Sequence, residues 1–139
     1  MPITYTKGDI LADTSIVPVI PVNTVGVAGA GLAKQWATQY PDLHHRYMQM
    51  RIDAGAPVIV ASGASCAVLF PTKRHWKNPS NIHDIRTGLA NLPGVVLHMD
   101  AAFGIPKLGC GLGGLDWDEV KPFVAFYLDP DPHLWYVFE

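Results

Sequence analysis

The sequence is poor in the residues that form metal sites and disulfides. It has two cysteines, Cys66 and Cys110, which are too far apart for a paired metal-binding motif. Its six histidines lack the spacing of a zinc hydrolase, and no serine stands in a nucleophile turn. We therefore expect no metal, no cofactor and no serine catalysis, and a reducing, cytoplasmic setting is the default.

The sequence also lacks long apolar runs and any excess of charge. No run of about 18 apolar residues occurs, and the N-terminal residues lack the pattern of a signal peptide. Charged residues make up 16% of the chain and the formal net charge is −2, so contacts with nucleic acid must come from a local patch. Hydrophobic residues, at 49%, suffice for a core. We expect one domain over residues 1–139 that enters no membrane.

The hydrophobic pattern alternates between strand-like and helix-like segments, which predicts a mixed α/β sandwich of about six strands and four helices. Strands are predicted at residues 4–7, 16–22, 58–61, 67–70, 95–99 and 134–138. Helices are predicted at residues 31–39, from 42 to about 54, from a Ser80 cap to about 92, and from an Asp116 cap to about 127. Trp36, Tyr47, Met48 and Met50 are predicted to lie in the core.

The first glycine-rich segment joins the predicted strand 16–22 to the helix at 31–39. It contains Gly26, Gly29 and Gly31. Glycine lets the backbone approach a ligand closely, and a helix start offers unpaired N–H groups, so phosphate is favoured there. A tight turn without a ligand explains this segment equally well.

The second glycine-rich segment places four glycines between residues 109 and 114, again before a capped helix. Its spacing fits the G-x-G-x-x-G fingerprint, but a dinucleotide-binding fold carries that fingerprint in its first βα turn, with a long chain to follow. Two loops that face one ligand are the better explanation. Their N–H groups would hold a diphosphate, at about 1.5–3 kcal/mol for each charged hydrogen bond.

Over nearly all of its length, the chain resembles the macrodomains, which are ADP-ribose-binding α/β/α modules. The matching segments are Gly8-Asp9-Ile10 and the loops at 23–33 and 109–117. Within that family, Asn-Thr-Val-Gly-Val at 23–27, Phe-Pro-Thr-Lys-Arg-His-Trp at 70–76 and the second loop are similar to the DarG antitoxins. The resemblance implies a three-layer α/β/α fold with a mixed central sheet, and removal of ADP-ribose from DNA bases.

The resemblance also implies a set of ligand-binding residues. Asp9 and Ile10 would receive the adenine, Asn23 the distal ribose, and both loops the diphosphate. The implied loop residues are Gly29, Ala30, Gly31 and Leu32, then Gly109, Cys110, Gly111, Leu112, Gly113, Gly114 and Leu115. Without the family, Asp9 could cap a helical turn at 10–12, and Asn23 could bind only its own turn backbone.

The basic segment at 72–80 contains the candidate catalytic residue. Cations contact phosphates and an indole stacks on unpaired bases, so a DNA contact is predicted for Thr72, Arg74, His75 and Trp76; a solvated basic loop is the alternative. The resemblance implies that Lys73 is catalytic, as an amine that attacks the anomeric carbon or moves protons as the base leaves. Asp116 is a second catalytic candidate, but Glu119 completes a capping box that favours a helix cap.

The leading hypothesis is an ADP-ribosyl glycohydrolase that acts on single-stranded DNA and reverses a modification made by a partner toxin. A hydrolase of carboxylate-linked ADP-ribose or O-acetyl-ADP-ribose, and a non-catalytic ADP-ribose reader, are the alternatives. Lys73 separates them, since a reader does not need it and an ester hydrolase need not use an amine. The expected partners are ADP-ribose, ADP-ribosylated single-stranded DNA and a cognate ADP-ribosyltransferase, and we expect a monomer.

Overall fold

Six strands form one mixed sheet in the computed structural model, which describes residues 3–139. The strands are β1 Thr4–Thr6, β2 Val17–Asn23, β3 Val58–Ser62, β4 Ser65–Lys73, β5 Phe103–Ile105 and β6 Trp135–Phe138. The helices are α1 Gly31–Gln39, α2 Pro41–Gln49, α3 Ile82–Val95 and α4 Trp117–Leu128. The strand order is β1-β6-β5-β2-β4-β3, and only β3 runs antiparallel to its neighbour.

Helices cover both faces of the sheet, as the alternation of side chains along the central strands requires. In β2, Val19 packs in a core cluster with α3 and α4, whereas Ile20 packs with α1 and α2. In β4, Val68 and Leu69 divide between the same two clusters. The predicted three-layer α/β/α fold with a mixed sheet is therefore confirmed.

The parallel strands bring the candidate residues to one edge of the sheet. The carboxyl ends of β1, β2, β4, β5 and β6 all lie there. The first glycine-rich loop follows β2 and the second follows β5. The register between β2 and β4 shifts after Val22, so that Asn23 pairs with Lys73. The fold thus places both loops and the predicted catalytic lysine around one opening.

The predicted strand at 95–99 is wrong, and the short strand β5 was missed. Val95 ends α3, and Met99 N donates to Val96 O at 2.9 Å in the turn that follows. A short apolar run has no periodicity that separates a buried strand from a helix end. The buried strand comes later, as the three residues of β5.

Helix boundaries differ from the predictions in two places. Asn81, not Ser80, caps α3, because Asn81 Oδ1 accepts from His83 N at 2.8 Å. Helix α2 ends at Gln49 rather than near residue 54. The cap of α4 is confirmed, since Asp116 Oδ1 accepts from Asp118 N at 3.0 Å.

Only some of the residues predicted to lie in the core from the first two helical segments are buried as expected. Trp36 and Tyr47 are buried as predicted. Met48 is 50% exposed, so its assignment to the core is wrong, and Met50 is half-buried.

Replacement by alanine should affect the stability of the domain differently at two glycines of α3. A Cβ at Gly88 would overlap the ring of Phe70, whereas a Cβ at Gly94 would meet nothing within 4 Å. Gly88→Ala should therefore lower the free energy of unfolding by about 1–3 kcal/mol, and Gly94→Ala should leave it unchanged or raise it by up to about 1 kcal/mol. Urea denaturation of both variants measures the difference. Equal effects would show that α3 does not pack on β4 as described.

Candidate functional site

A cleft of about 840 Å³ opens at the carboxyl edge of the sheet, between the two glycine-rich loops. Its size lies in the range of pockets that enclose small-molecule ligands. Most of the predicted site residues line it: Ile10, Asn23, Gly29, Ala30, Gly31, Leu32, Thr72, Lys73, Trp76, Gly109, Cys110, Gly111, Leu112 and Gly113. The structure therefore brings the two loops and Lys73 together around one space.

Five predicted residues lie outside the cleft lining, namely Asp9, Arg74, His75, Gly114 and Leu115. Asp9 Oδ1 accepts from Leu11 N at 2.9 Å, so this carboxylate caps a turn, as the simpler interpretation predicted. Asp116, the second catalytic candidate, also lies outside the lining and caps α4. Of the two candidates, only Lys73 faces the cleft.

The cleft also has lining residues that sequence reasoning missed: Gly8, Pro21, Val22, Val27, Ala33, Pro106, Lys107, Phe138 and Glu139. They lie in or beside the predicted segments or at the ends of β5 and β6. Phe138 ends β6 and Pro106 directly follows β5. Once the strands are known to be parallel, these positions indicate that both residues lie at the cleft.

The N-terminus of α1 faces this cleft without a cap. Ala30 stands at the N-cap position with no side-chain hydrogen bond, and the first turn carries no acidic residue. The first bond of the helix runs from Lys34 N to Ala30 O at 3.2 Å. The N–H groups of Gly31, Leu32 and Ala33 are therefore unpaired within residues 3–139, and the helix dipole adds positive charge there.

The second loop presents a similar set of donors. It is closed by hydrogen bonds from Gly114 N to Gly111 O at 3.1 Å and from Leu115 N to Gly109 O at 2.9 Å. Gly113 O accepts from Ser80 N at 2.9 Å, which ties the loop to the segment before α3. Within the described part of the chain, no hydrogen bond uses the N–H groups of Gly111, Leu112 or Gly113.

Asn23 holds the first loop in shape. Its Nδ2 donates to Val27 O at 2.8 Å, and its Oδ1 accepts from Val25 N and Val27 N, each at 3.2 Å. The residue is buried and lines the cleft. The interpretation that Asn23 binds its own turn describes most of its bonds, and one Nδ2 hydrogen is left for a ligand.

The hydroxyl of Tyr47, on α2, holds Asn23 in place. The sequence predicted only that Tyr47 lies in the core. Its hydroxyl accepts from Asn23 N at 3.2 Å and donates to Asn23 O at 2.9 Å, with Asn23 Oδ1 at 3.0 Å. Burial raises the pKa of Tyr47 above its ordinary value, so the hydroxyl stays protonated and able to donate.

Lys73 ends β4 at the mouth of the cleft. It is half-buried, and its Nζ donates to Trp76 O at 3.4 Å. Its backbone carbonyl accepts from Thr24 N at 3.2 Å, which joins it to the first loop. Lys107 is a second cation in the lining, from the segment after β5.

The rest of the basic segment divides into two parts. Arg74 turns towards α3 and forms two hydrogen bonds to the buried carboxylate of Asp84, at 3.1 and 3.2 Å, which raise the pKa of Arg74. His75 and Trp76 stack with ring centroids 5.2 Å apart, Lys77 Nζ lies 5.0 Å from the Trp76 ring, and Trp76 is 49% exposed. Trp76 and Lys77 therefore form an exposed aromatic and cationic surface beside the cleft.

Other kinds of site find no support in the described residues. No group of three or more His, Cys, Asp or Glu side chains in residues 3–139 could hold a metal ion. No helix in that range is long and apolar enough to cross a membrane.

Removal of the Tyr47 hydroxyl should lower the stability of the domain. Tyr47→Phe leaves the backbone groups of Asn23 without a buried partner, so the free energy of unfolding should fall by about 1–3 kcal/mol. Tyr136→Phe is the control, because the Tyr136 hydroxyl makes no hydrogen bond within residues 3–139. Chemical denaturation of both variants checks the prediction, and equal stabilities would remove the role given to Tyr47.

Comparison with known proteins places this geometry among related chains. No protein-family model matches the chain. A Mycobacterium tuberculosis protein named DNA ADP-ribosyl glycohydrolase is 38% identical over 141 residues, which is 93% of this chain and 40% of that protein. The chain thus spans about two fifths of the length of the curated relatives it matches.

Two solved structures extend the comparison. The macrodomain of Mycobacterium tuberculosis DarG has a TM-score of 0.89 and 32% identity, over 98% of this chain and 96% of that one. Thermosipho africanus DarTG, solved in complex with ADP-ribose, has a TM-score of 0.88 and 30% identity, over 99% of this chain and 41% of that one.

Proposed function

We propose that this chain, which belongs to the family of DarG macrodomains, removes ADP-ribose from nucleobases of single-stranded DNA. The observation that carries the proposal is the cleft at the sheet edge, where two sets of N–H groups that are unpaired among residues 3–139 face one space beside Lys73. The name of the Mycobacterium tuberculosis relative and the ADP-ribose in Thermosipho africanus DarTG support the same substrate.

The diphosphate of ADP-ribose would lie between the start of α1 and the second loop. Both present backbone donors, and each charged hydrogen bond contributes about 1.5–3 kcal/mol. Adenine would lie near Ile10 and Phe138 at the other end of the cleft, with Asp9 Oδ2 left to accept from its amino group. In this order the distal ribose would lie at Asn23 and its anomeric carbon near Lys73.

Lys73 would act on the bond between the anomeric carbon and the base. In one route its neutral amine forms a bond to that carbon while the base leaves with a proton, and water then cleaves the carbon–nitrogen bond and restores the amine. In the other route water attacks directly and the Lys73 ammonium gives the leaving base its proton. Both routes consume one water and release ADP-ribose and the unmodified base.

The surface formed by Trp76 and Lys77 would hold the single strand. An exposed indole can stack on an unpaired base, and a nearby ammonium can meet a phosphate. Thr72 is buried and can contact only what enters the cleft. We propose further that the domain acts as a monomer, and that a cognate ADP-ribosyltransferase produces the modified DNA.

Gly111 tests whether the second loop holds the diphosphate. A Cβ at Gly111 would meet no atom of residues 3–139 within 4 Å, so Gly111→Val should fold normally, yet crowd a bound phosphate. Calorimetry should show tight binding of ADP-ribose by the natural chain, weaker binding of AMP by about 100-fold or more, and loss of ADP-ribose binding in the variant.

Gly94→Val, on α3 and outside the cleft lining, is the matched control for that substitution and should bind ADP-ribose normally. Thermal unfolding of both variants shows whether they fold. A folded Gly111→Val chain with full affinity, or equal affinity of the natural chain for ADP-ribose and AMP, would contradict the two-loop site.

Lys73 should separate binding from chemistry. The loop backbones hold ADP-ribose without it, so Lys73→Ala should keep the affinity for ADP-ribose within about tenfold, or roughly 1.4 kcal/mol. Release of ADP-ribose from modified single-stranded DNA should fall by about 100-fold or more, because the amine acts only on the way to the transition state. Lys73→Arg should fail nearly as badly, since a guanidinium keeps the charge but neither acts as a neutral amine nor gives up a proton readily.

The assay uses ADP-ribosylated single-stranded DNA and ADP-ribosylated protein in parallel. Near-normal turnover of DNA by Lys73→Arg would reduce Lys73 to an electrostatic role. Release from protein alone would favour the ester hydrolase, and binding without release from either substrate would leave an ADP-ribose reader.

A further inference from the structure

A second cleft, of about 490 Å³, shares Thr72 and Lys73 with the first. Its remaining walls come from the segment between β4 and α3 and from the first turn of α3. None of the glycine-rich loop residues lines it, so the ADP-ribose site does not account for it. One of the two shared residues, Lys73, is the residue proposed to act on the bond to the base.

Arg74 forms a fixed planar wall of the second cleft. Asp84 holds its guanidinium through two hydrogen bonds, and the Arg74 side chain is still 68% exposed while that of Asp84 is 8% exposed. A guanidinium held in one orientation offers its face for stacking on a planar ring. The Asp84 carboxylate balances the charge of Arg74, which makes this wall of the cleft better suited to a ring than to a phosphate.

The other polar groups of the second cleft fit the edge of a nucleobase. Asn78 is exposed, and its side-chain amide makes no hydrogen bond within residues 3–139. Asn81 uses its Oδ1 to cap α3, so its NH₂ group is left to donate. The hydroxyl of Ser80 is buried and has no partner in the same range. Amides and hydroxyls both donate and accept, as base edges do.

We propose that the second cleft binds the nucleobase next to the modified one in the DNA strand, stacked on Arg74 and hydrogen-bonded by Asn78 and Asn81. The inference rests on the proposed function. Because the modified base departs at Lys73, the strand must continue from the point that the two clefts share. The enzyme would then read a nucleotide that carries no ADP-ribose, and would prefer a strand to a free nucleoside.

The test compares two forms of one substrate. An oligonucleotide is ADP-ribosylated on a single base, and part of it is digested by nucleases to the ADP-ribosylated nucleoside. For the natural chain, kcat/KM should be at least about tenfold higher on the oligonucleotide. Asn78→Ala and Arg74→Lys should each lower the ratio of the two kcat/KM values by about tenfold, since one removes the amide and the other the planar face while keeping the charge.

Arg86→Lys is the matched control, because Arg86 lies on α3 but lines neither cleft. It should leave the ratio unchanged. An unchanged ratio in the folded Asn78→Ala and Arg74→Lys chains overturns the second-cleft proposal alone. An equal kcat/KM of the natural chain on both substrates overturns it together with the strand contact proposed for Trp76 and Lys77. Failure of the natural chain to release ADP-ribose from either substrate overturns the proposed function itself.

Discussion

The parallel pairing of β2 with both β4 and β5 determines where the functional groups of this chain can meet. Parallel strands end at the same edge of a sheet, so the loops that follow β2 and β5 face each other and the last residue of β4 stands between them. The register shift after Val22 then sets Asn23 opposite Lys73. Segments far apart in the sequence are joined there by sheet topology rather than by a local motif.

Within that edge, polar side chains shape the loops and backbone groups are left for the ligand. Asn23 uses most of its hydrogen-bonding capacity on its own loop, and Tyr47 completes its burial. Asp9 closes a turn. Within residues 3–139, the N–H groups at the start of α1 and in the second loop have no such partner, and they are suited to an anion because backbone donors there cost no side-chain ordering.

The sequence predicts best where chemistry is local. The Asp116 cap follows from a side chain that accepts from the first turn of a helix, and the glycine loops follow from a residue that adopts the positive φ of a sharp turn. The strand predicted at 95–99 is wrong because a short apolar run has the same pattern in a buried strand and at the end of a helix. The strand β5 was missed because its three buried residues are too few to show a period. The pairing of Arg74 with Asp84 could not be predicted either, since it joins a strand end to a helix that only the fold brings near.

The local distribution of charged groups, rather than the formal net charge of −2, is what the proposed action on DNA depends on. In the proposed site, backbone donors bind the diphosphate, which leaves Lys73 for the bond to the base. Asp84 neutralises Arg74, so that wall of the second cleft attracts rings rather than phosphates. In the proposed complex, the cationic contact with the strand falls to Lys77 beside Trp76, on the exposed side of the cleft. For such contacts the local arrangement of charged groups matters more than the overall charge.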